Sequence, residues 1–130
     1  MGTTNPDDES AVHDLVQAWA RAVEAHDIDG VLANHSPTIS MFDVPVLQLR
    51  GIEKYRDSWV EFFKWLGPAG QFRLTQLEVV AGSDTAFCFG IVHCVGETAP
   101  SGLTVRLTVG LHKTDDDWVV VHEHHSIAVP

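Results

Sequence analysis

The chain has 130 residues, close to the usual size of one domain, and 45% of them are hydrophobic, which is enough for one compact core. Eighteen acidic residues against eight Lys and Arg give a formal net charge of -10, which repels nucleic acids and anionic membrane surfaces. No apolar run approaches the ~20 residues that span a bilayer, and the acidic N-terminus is unlike a signal peptide. We therefore predict a single cytoplasmic domain over residues 1–130 that binds neither nucleic acid nor membranes.

The first half of the sequence predicts three helices. Asn5 and Pro6 are typical of a helix cap and first turn, and apolar residues at three- and four-residue spacing continue this helix to about His26. Asp27 and Asp29 interrupt the pattern and are expected to cap the next helix. The other predicted elements are a short helix over residues 31–35, a strand over 38–44, an extended piece over 46–50 and a third helix over 52–66.

The second half of the sequence predicts only strands, separated by polar turns. These strands cover residues 72–81, 85–97, 103–113 and 118–129. A loop is expected at residues 100–102 and a two-residue turn at Asp115 and Asp116. Helices followed by an antiparallel sheet predict an α+β architecture.

Two cysteines, Cys88 and Cys94, lie in one predicted strand. At the rise of an extended chain they are about 20 Å apart, too far for a disulfide bond. We predict buried, reduced thiols.

Three motifs, WARAVEAHDIDGVL, FDVPVLQLRG and a closing strand with HEHHS, resemble the nuclear transport factor 2-like superfamily, particularly its SnoaL-like and ketosteroid-isomerase-like members. The resemblance covers nearly the whole chain. It implies a cone-shaped, curved antiparallel sheet wrapped around three N-terminal helices, a cavity for a small molecule, and a homodimer. Because this scaffold hosts many reactions and also proteins without any, it implies no single reaction.

The resemblance also implies individual site residues. Asp43 matches the general base of the ketosteroid isomerases. Trp19 stands where these enzymes hold an oxyanion-hole tyrosine, and Val109 where they hold a protonated aspartate. Because a valine has no hydrogen-bond donor, we do not expect steroid isomerisation itself.

The closing strand carries HEHH at residues 122–125, and its side chains alternate between two faces. His122, His124 and Ser126 share one face, and Glu123 and His125 share the other. Matched positions in the isomerases imply that the first set faces the cavity.

The turn at residues 115–116 sets the register of this strand and places Val109 opposite His122. We therefore expect Glu123 and His125 on the outer face of the sheet, beside Arg106.

The predicted function is binding of a small, largely apolar organic molecule and acid/base chemistry on it without a cofactor, of the isomerase, cyclase or dehydratase kind. Asp43 is the predicted base, and His122 and His124 the predicted acid or oxyanion stabiliser. The predicted binding residues are Trp19, Phe42, Tyr55, Trp59, Phe87, Phe89, Ile91, His93, Val109 and Ser126.

Two alternatives remain open. His122 and His124 on one strand face can share a metal ion with Asp43 or His93. The same fold also serves as a non-catalytic binding or association module. The remaining histidines, His13, His26 and His35, are predicted to be solvated at the surface.

Overall fold

The computed structural model describes residues 6–44 and 46–129, so the predicted cap at Asn5 lies outside the described residues. In chain order the elements are α1 (Pro6–Glu24), α2 (Ile28–Leu32), β1 (His35–Phe42), β2 (Leu49–Arg50), α3 (Ile52–Leu66), β3 (Gln71–Ala81), β4 (Thr85–Gly96), β5 (Ala99–Thr114) and β6 (Asp117–Ser126). In these residues no helix is both long and apolar enough to cross a membrane.

The helices form where the apolar spacing predicts them. The stripe on α1 buries Val12, Val16 and Val23 completely or almost so. Helix α2 starts earlier than predicted because the Asp27 carboxylate accepts a hydrogen bond from the backbone N–H of Gly30 and caps it there. The chain is therefore extended from His35 onward.

The six strands form one curved sheet in the order β2-β1-β6-β5-β4-β3. All neighbours are antiparallel except β1 and β6, which run parallel, so the sheet is mixed and not antiparallel throughout as predicted. Helix α1 packs against β3 and α3 against β1, which places the core between the helices and the sheet. The predicted α+β cone is confirmed.

A β-bulge in β6 decides which side chains face the core. Near the turn, Leu111 pairs with Val120, but the next pair is Gly110 with His122, so Val121 is an extra residue. Beyond the bulge every side chain changes face. Glu123 is therefore buried, at 1% exposure, whereas the sequence places it outside.

Strand β4 also presents the face opposite to the predicted one. Its inner positions carry small residues, including Ala86, Cys88 and Gly90, whereas Phe87 and Phe89 lie outside. Space explains this choice: a Cβ at Gly90 would lie 3.0 Å from the Leu74 side chain. The large side chains of Trp19, Tyr55 and Trp59 from the helices fill part of the inside of the cone.

Strand β5 begins at Ala99, so the loop predicted at residues 100–102 is wrong. Ala99 pairs with Gly96 across a short turn, and Gly102 adopts a positive φ of 77° within the strand. The predicted turn at residues 115–116 is confirmed, because Thr114 pairs with Asp117.

Candidate functional site

A cavity of about 710 Å³ lies between α3 and the inner face of the sheet. This volume is in the range of pockets for small organic molecules. Its walls are mainly apolar and include Trp59, Phe62, Trp65, Phe72, Val92, Val105 and Ile127. Asp43 and His125 are polar residues in the same lining.

Asp43 reaches the cavity because it follows β1 directly. Ile39 and Met41 point into the core, and Asp43 continues this alternation. The backbone N–H of Val44 donates to Asp43 Oδ1 at 2.8 Å. The sequence-based placement of Asp43 in the cavity is thus confirmed, although its catalytic role stays a prediction.

His125 faces Asp43 from β6. Its Nδ1 atom is 3.9 Å from Asp43 Oδ1, too far for a direct hydrogen bond. A substrate oxygen beside the two groups would be within hydrogen-bond reach of both. We call these two side chains the Asp43–His125 pair.

The buried carboxylate of Glu123 orients the His125 ring through the nitrogen that does not face Asp43. His125 Nε2 donates to Glu123 Oε1 at 3.0 Å, and the other oxygen, Oε2, accepts from Tyr55 at 2.6 Å and from His35 Nε2 at 2.9 Å. The indole N–H of Trp19 in turn donates to the Tyr55 hydroxyl at 3.0 Å. These five side chains come from α1, β1, α3 and β6, and we call them the Glu123 network.

Glu123 is ionised within this network. Burial by itself raises the pKa of this carboxyl, but the hydrogen bonds from His125 and His35 outweigh burial and hold the pKa at about 2. Burial and the Glu123 charge raise the pKa of Tyr55 well above its ordinary value, so the phenol keeps its proton and donates it.

Asp43 has the opposite shift. Burial raises the pKa of Asp43, and the charge of His125 offsets part of that increase. A carboxyl with a raised pKa is better matched to proton transfer near neutral pH than an ordinary exposed one.

The cysteines are buried and free, as predicted. Burial raises the pKa of Cys88 and of Cys94 to about 12, with the Glu123 charge contributing at Cys88. Both thiols therefore stay protonated and behave as small hydrophobic side chains.

The predicted placement of His122 and His124 in the cavity is wrong, because the bulge at Val121 turns them to the outer face. There, His122 Nδ1 lies 2.7 Å from the hydroxyl oxygen of Ser40. Phe42, also predicted in the cavity, packs edge-on against both histidine rings outside.

The other predicted binding residues divide into three groups. Trp59 lines the cavity as predicted. Those that face inward but lie in the core beneath the cavity are Trp19, Tyr55 and Val109. Those on the outer face, where the prediction is wrong, are Phe87, Phe89, Ile91, His93 and Ser126.

Arg106 lies on the outer face, as predicted, and donates to Ser126 and to the backbone oxygen of Ile127. The predicted metal alternative does not assemble. The sheet separates Asp43 from His122 and His124, and strand β5 lies between His93 on β4 and the two histidines on β6. Within residues 6–44 and 46–129, no three His, Cys, Asp or Glu side chains converge as metal ligands.

Three important residues, His35, Glu123 and His125, are missed by the sequence prediction. His35 was expected at the surface, but its side chain is only 1% exposed. No strand pattern pointed to His35, because the predicted helix covers residues 31–35 and the pairing of β1 with β6 is irregular between His35 and Ser40. His13 is exposed as predicted, whereas His26 is half-buried and its ring stacks on Phe63 at 4.8 Å.

Solved structures share this fold. A nuclear transport factor 2-like protein of unknown function from Pseudomonas putida is 29% identical, with a TM-score of 0.90, over 98% of this chain and 92% of that one. A proposed dehydratase of the same family from Streptomyces avermitilis is 22% identical, with a TM-score of 0.85, over 97% and 100% of the two chains.

A ketosteroid isomerase-like protein from Erwinia carotovora is 14% identical, with a TM-score of 0.79, over 97% and 100% of the two chains. No curated protein matches the sequence. The sequence profile of the SnoaL-like domain matches residues 12–130, nearly the full length of the chain. The protein therefore belongs to the SnoaL-like domain family, within the nuclear transport factor 2-like superfamily.

Proposed function

We propose that this protein is an acid/base enzyme of the isomerase, cyclase or dehydratase kind, acting on a small, largely apolar organic molecule in the cavity. The observation that carries the proposal is the Asp43–His125 pair at the wall of an apolar cavity, with His125 oriented by the buried Glu123 carboxylate. A base, an acid and an orienting group in one pocket are the parts that proton transfer requires.

The proposed reactions share a first step, removal of a proton from carbon next to a carbonyl. The Asp43 carboxylate takes this proton as the C–H bond breaks, and the electron pair moves to the carbonyl oxygen. Protonated Nδ1 of His125 donates a hydrogen bond or its proton to that oxygen. The three reaction types differ in the next step. An isomerase returns the proton to another carbon, a cyclase lets the carbon attack a second carbonyl, and a dehydratase expels a leaving group.

The comparisons support this class without identifying a substrate. The Streptomyces avermitilis and Erwinia carotovora proteins share the fold and are named as a proposed dehydratase and as ketosteroid isomerase-like. Isomerisation of a ketosteroid moves a proton between carbon atoms, and a dehydration can begin in the same way when the hydroxyl leaves from the carbon next to an enolate. The substrate of this chain is accordingly sought among apolar molecules that carry a carbonyl group.

Hydrogen exchange tests the common first step without knowledge of the substrate. The purified protein is incubated in D₂O with a panel of apolar cyclic and aromatic ketones, and deuterium incorporation next to the carbonyl is followed by mass spectrometry. We expect at least one ketone to exchange faster with the protein than in buffer, and His125→Gln to lower that rate by roughly 100-fold or more.

The neighbouring residue is a matched control, because His124 lies on the same strand and faces outward. His124→Gln should keep the wild-type exchange rate. Loss of exchange in His124→Gln with retention in His125→Gln would contradict the proposal. Binding of ketones without any exchange would favour a non-catalytic binding module.

The cavity itself is expected to bind apolar molecules. Val105 lines it from β5, whereas the adjacent Thr104 is exposed on the outer face. We expect Val105→Trp to weaken binding of the neutral dye Nile red about tenfold, or about 1.4 kcal/mol, because the indole occupies the cavity. Dye fluorescence gives the affinity, and Thr104→Trp is the control. Equal affinities for the two variants would place the dye elsewhere.

We also propose that two copies associate through the outer face of the sheet. Phe87 and Phe89 stack there with ring centroids 6.3 Å apart and are 47% and 40% exposed, and Val80 and Val121 are similarly exposed. Phe89→Asp is expected to convert a dimer into a monomer, because it places a charge in an apolar contact. Light scattering after size exclusion measures the mass, and a wild-type monomer would contradict the proposal.

A further inference from the structure

Both ring nitrogens of His35 face groups that can only accept hydrogen bonds. Nδ1 is 2.8 Å from the backbone oxygen of Ala33, and Nε2 is 2.9 Å from Oε2 of Glu123. The Tyr55 hydroxyl, 3.0 Å from Nε2, gives its only proton to Glu123 and therefore also accepts. Because an acceptor must be met by an N–H, the geometry requires a proton on each nitrogen of His35.

His125 differs from His35 in this respect. Its Nε2 atom donates to Glu123, but its Nδ1 atom faces the cavity and is 3.9 Å from Asp43. Only one of its two nitrogens is thus committed to a fixed hydrogen bond. The second can exchange a proton with a bound molecule or with Asp43.

The Glu123 carboxylate carries one negative charge and contacts both histidines. The side chains of His35 and Glu123 are each 1% exposed, so neither charge is compensated by solvent. A single imidazolium is enough to balance the carboxylate. If His35 supplies that charge, Glu123 does not force a second positive charge onto His125.

Among the described residues, the ionisable groups that the electrostatics of the network involve directly are Asp43 after β1, Tyr55 on α3 and Cys88 on β4. Helix α3 also brings Lys54, Asp57 and Glu61 to the lining of the cavity that His125 faces, but none of the three is hydrogen-bonded to Glu123. The phenol and the thiol are kept neutral by their raised pKa values, and α1 contributes only the uncharged indole of Trp19. His35 is therefore the group that we expect to neutralise the charge of Glu123.

We propose that His35 is a positioning residue for the Asp43–His125 pair: a lasting imidazolium that balances the buried charge of Glu123 and leaves Nδ1 of His125 free to gain and lose a proton. The role of His35 in a reaction rests on the proposed function, because that role requires the Asp43–His125 pair to transfer protons. His35 touches neither the cavity nor a reacting atom, and it acts through Glu123.

Nitrogen-15 NMR of histidine side chains in the intact protein tests the proposal directly, because it reports the protonation of each ring nitrogen. In the wild-type protein we expect His35 to carry both protons throughout the pH range in which Nδ1 of His125 gains and loses one. A neutral His35 beside a permanently charged His125 would overturn the proposal.

The variant His35→Gln keeps a hydrogen-bond donor near Glu123 but removes the positive charge. We expect the titration of Nδ1 of His125 to move to higher pH by about one unit or more, because the uncompensated carboxylate then holds the proton on His125. His13→Gln, the same substitution at an exposed site on α1, should cause no change. An unchanged His125 titration in folded His35→Gln would overturn the proposal.

If His35→Gln does not fold, Glu123→Gln supplies a second test. Without the carboxylate, His35 should lose one of its two protons at neutral pH, and a His35 that stays doubly protonated would overturn the proposal. None of these measurements needs a substrate. Failure of the proposed function, seen as normal exchange in Asp43 and His125 variants, is thus distinguishable from failure of this inference.

Discussion

Replacing Asp43 with asparagine is expected to lower ketone exchange by roughly 100- to 10,000-fold, the usual contribution of a general base. The amide has almost the same shape as the carboxylate but cannot accept a proton. The mass-spectrometric exchange assay measures the loss. Asp14→Asn, on the exposed side of α1, is the control and should keep the wild-type rate.

The same substitution should not weaken the fold. Burial raises the pKa of Asp43 above its ordinary value of 3.8, so at neutral pH the ionised carboxylate is less favourable in the folded than in the unfolded chain. Removing the charge should leave the free energy of unfolding at pH 7 unchanged or slightly higher, as measured by urea denaturation. A variant that loses both activity and stability would show that Asp43 is structural.

Replacing Glu123 with alanine is expected to cost about 3–5 kcal/mol of stability. The substitution leaves the Nε2–H of His35, the Tyr55 hydroxyl and the Nε2–H of His125 without their acceptor in the core. The melting temperature, measured by circular dichroism, should fall by roughly 10 °C or more. Glu78→Ala, at an exposed position on β3, should change stability by no more than about 0.5 kcal/mol.

Low pH should remove the difference in stability between the wild-type protein and Glu123→Ala. The pKa of Glu123 is about 2 in the folded chain against an ordinary value of 4.5. Because the folded pKa is the lower one, the stabilisation is complete above pH 4.5 and is lost as the pH falls through about 2. Urea denaturation at about pH 6, 4 and 3 should show that the difference in the free energy of unfolding between the two proteins becomes smaller. A difference that does not change with pH would contradict the role of ionised Glu123 in stability.

Much of the architecture follows from local patterns in the sequence. The spacing of Val12, Val16 and Trp19 predicts α1, and the acidic turn predicts the β5–β6 hairpin. The inward position of Asp43 was implied by the resemblance to the ketosteroid isomerases. The structure places it there, in alternation with Ile39 and Met41.

The inner residues of β6 could not be predicted in this way. Three consecutive valines, Val119 to Val121, precede the histidines, so the sequence shows no alternation there from which to locate a bulge. Counting from the turn gives the correct register up to Val120 and the wrong face beyond it. An error of one residue exchanges His122 and His124 for Glu123 and His125.

Strand β4 shows the same limit for a different reason. Both of its faces are apolar, and large phenylalanines suggest a core position more strongly than Ala86 or Gly90. Only the tertiary structure shows that the inside of the cone has room for small residues there, because a Cβ at Gly90 would lie 3.0 Å from the Leu74 side chain of β3.

The sequence by itself thus determined the three helices, the order of the strands along the chain and the α+β class, because these depend on spacing between near neighbours. The cone and the inward position of Asp43 followed from the family resemblance that its motifs carry. The tertiary structure alone decided that Glu123 joins His35 to His125, since residues 88 positions apart meet only after β1 pairs with β6. The identity of the acid/base pair depends on that pairing and on one extra residue in a strand.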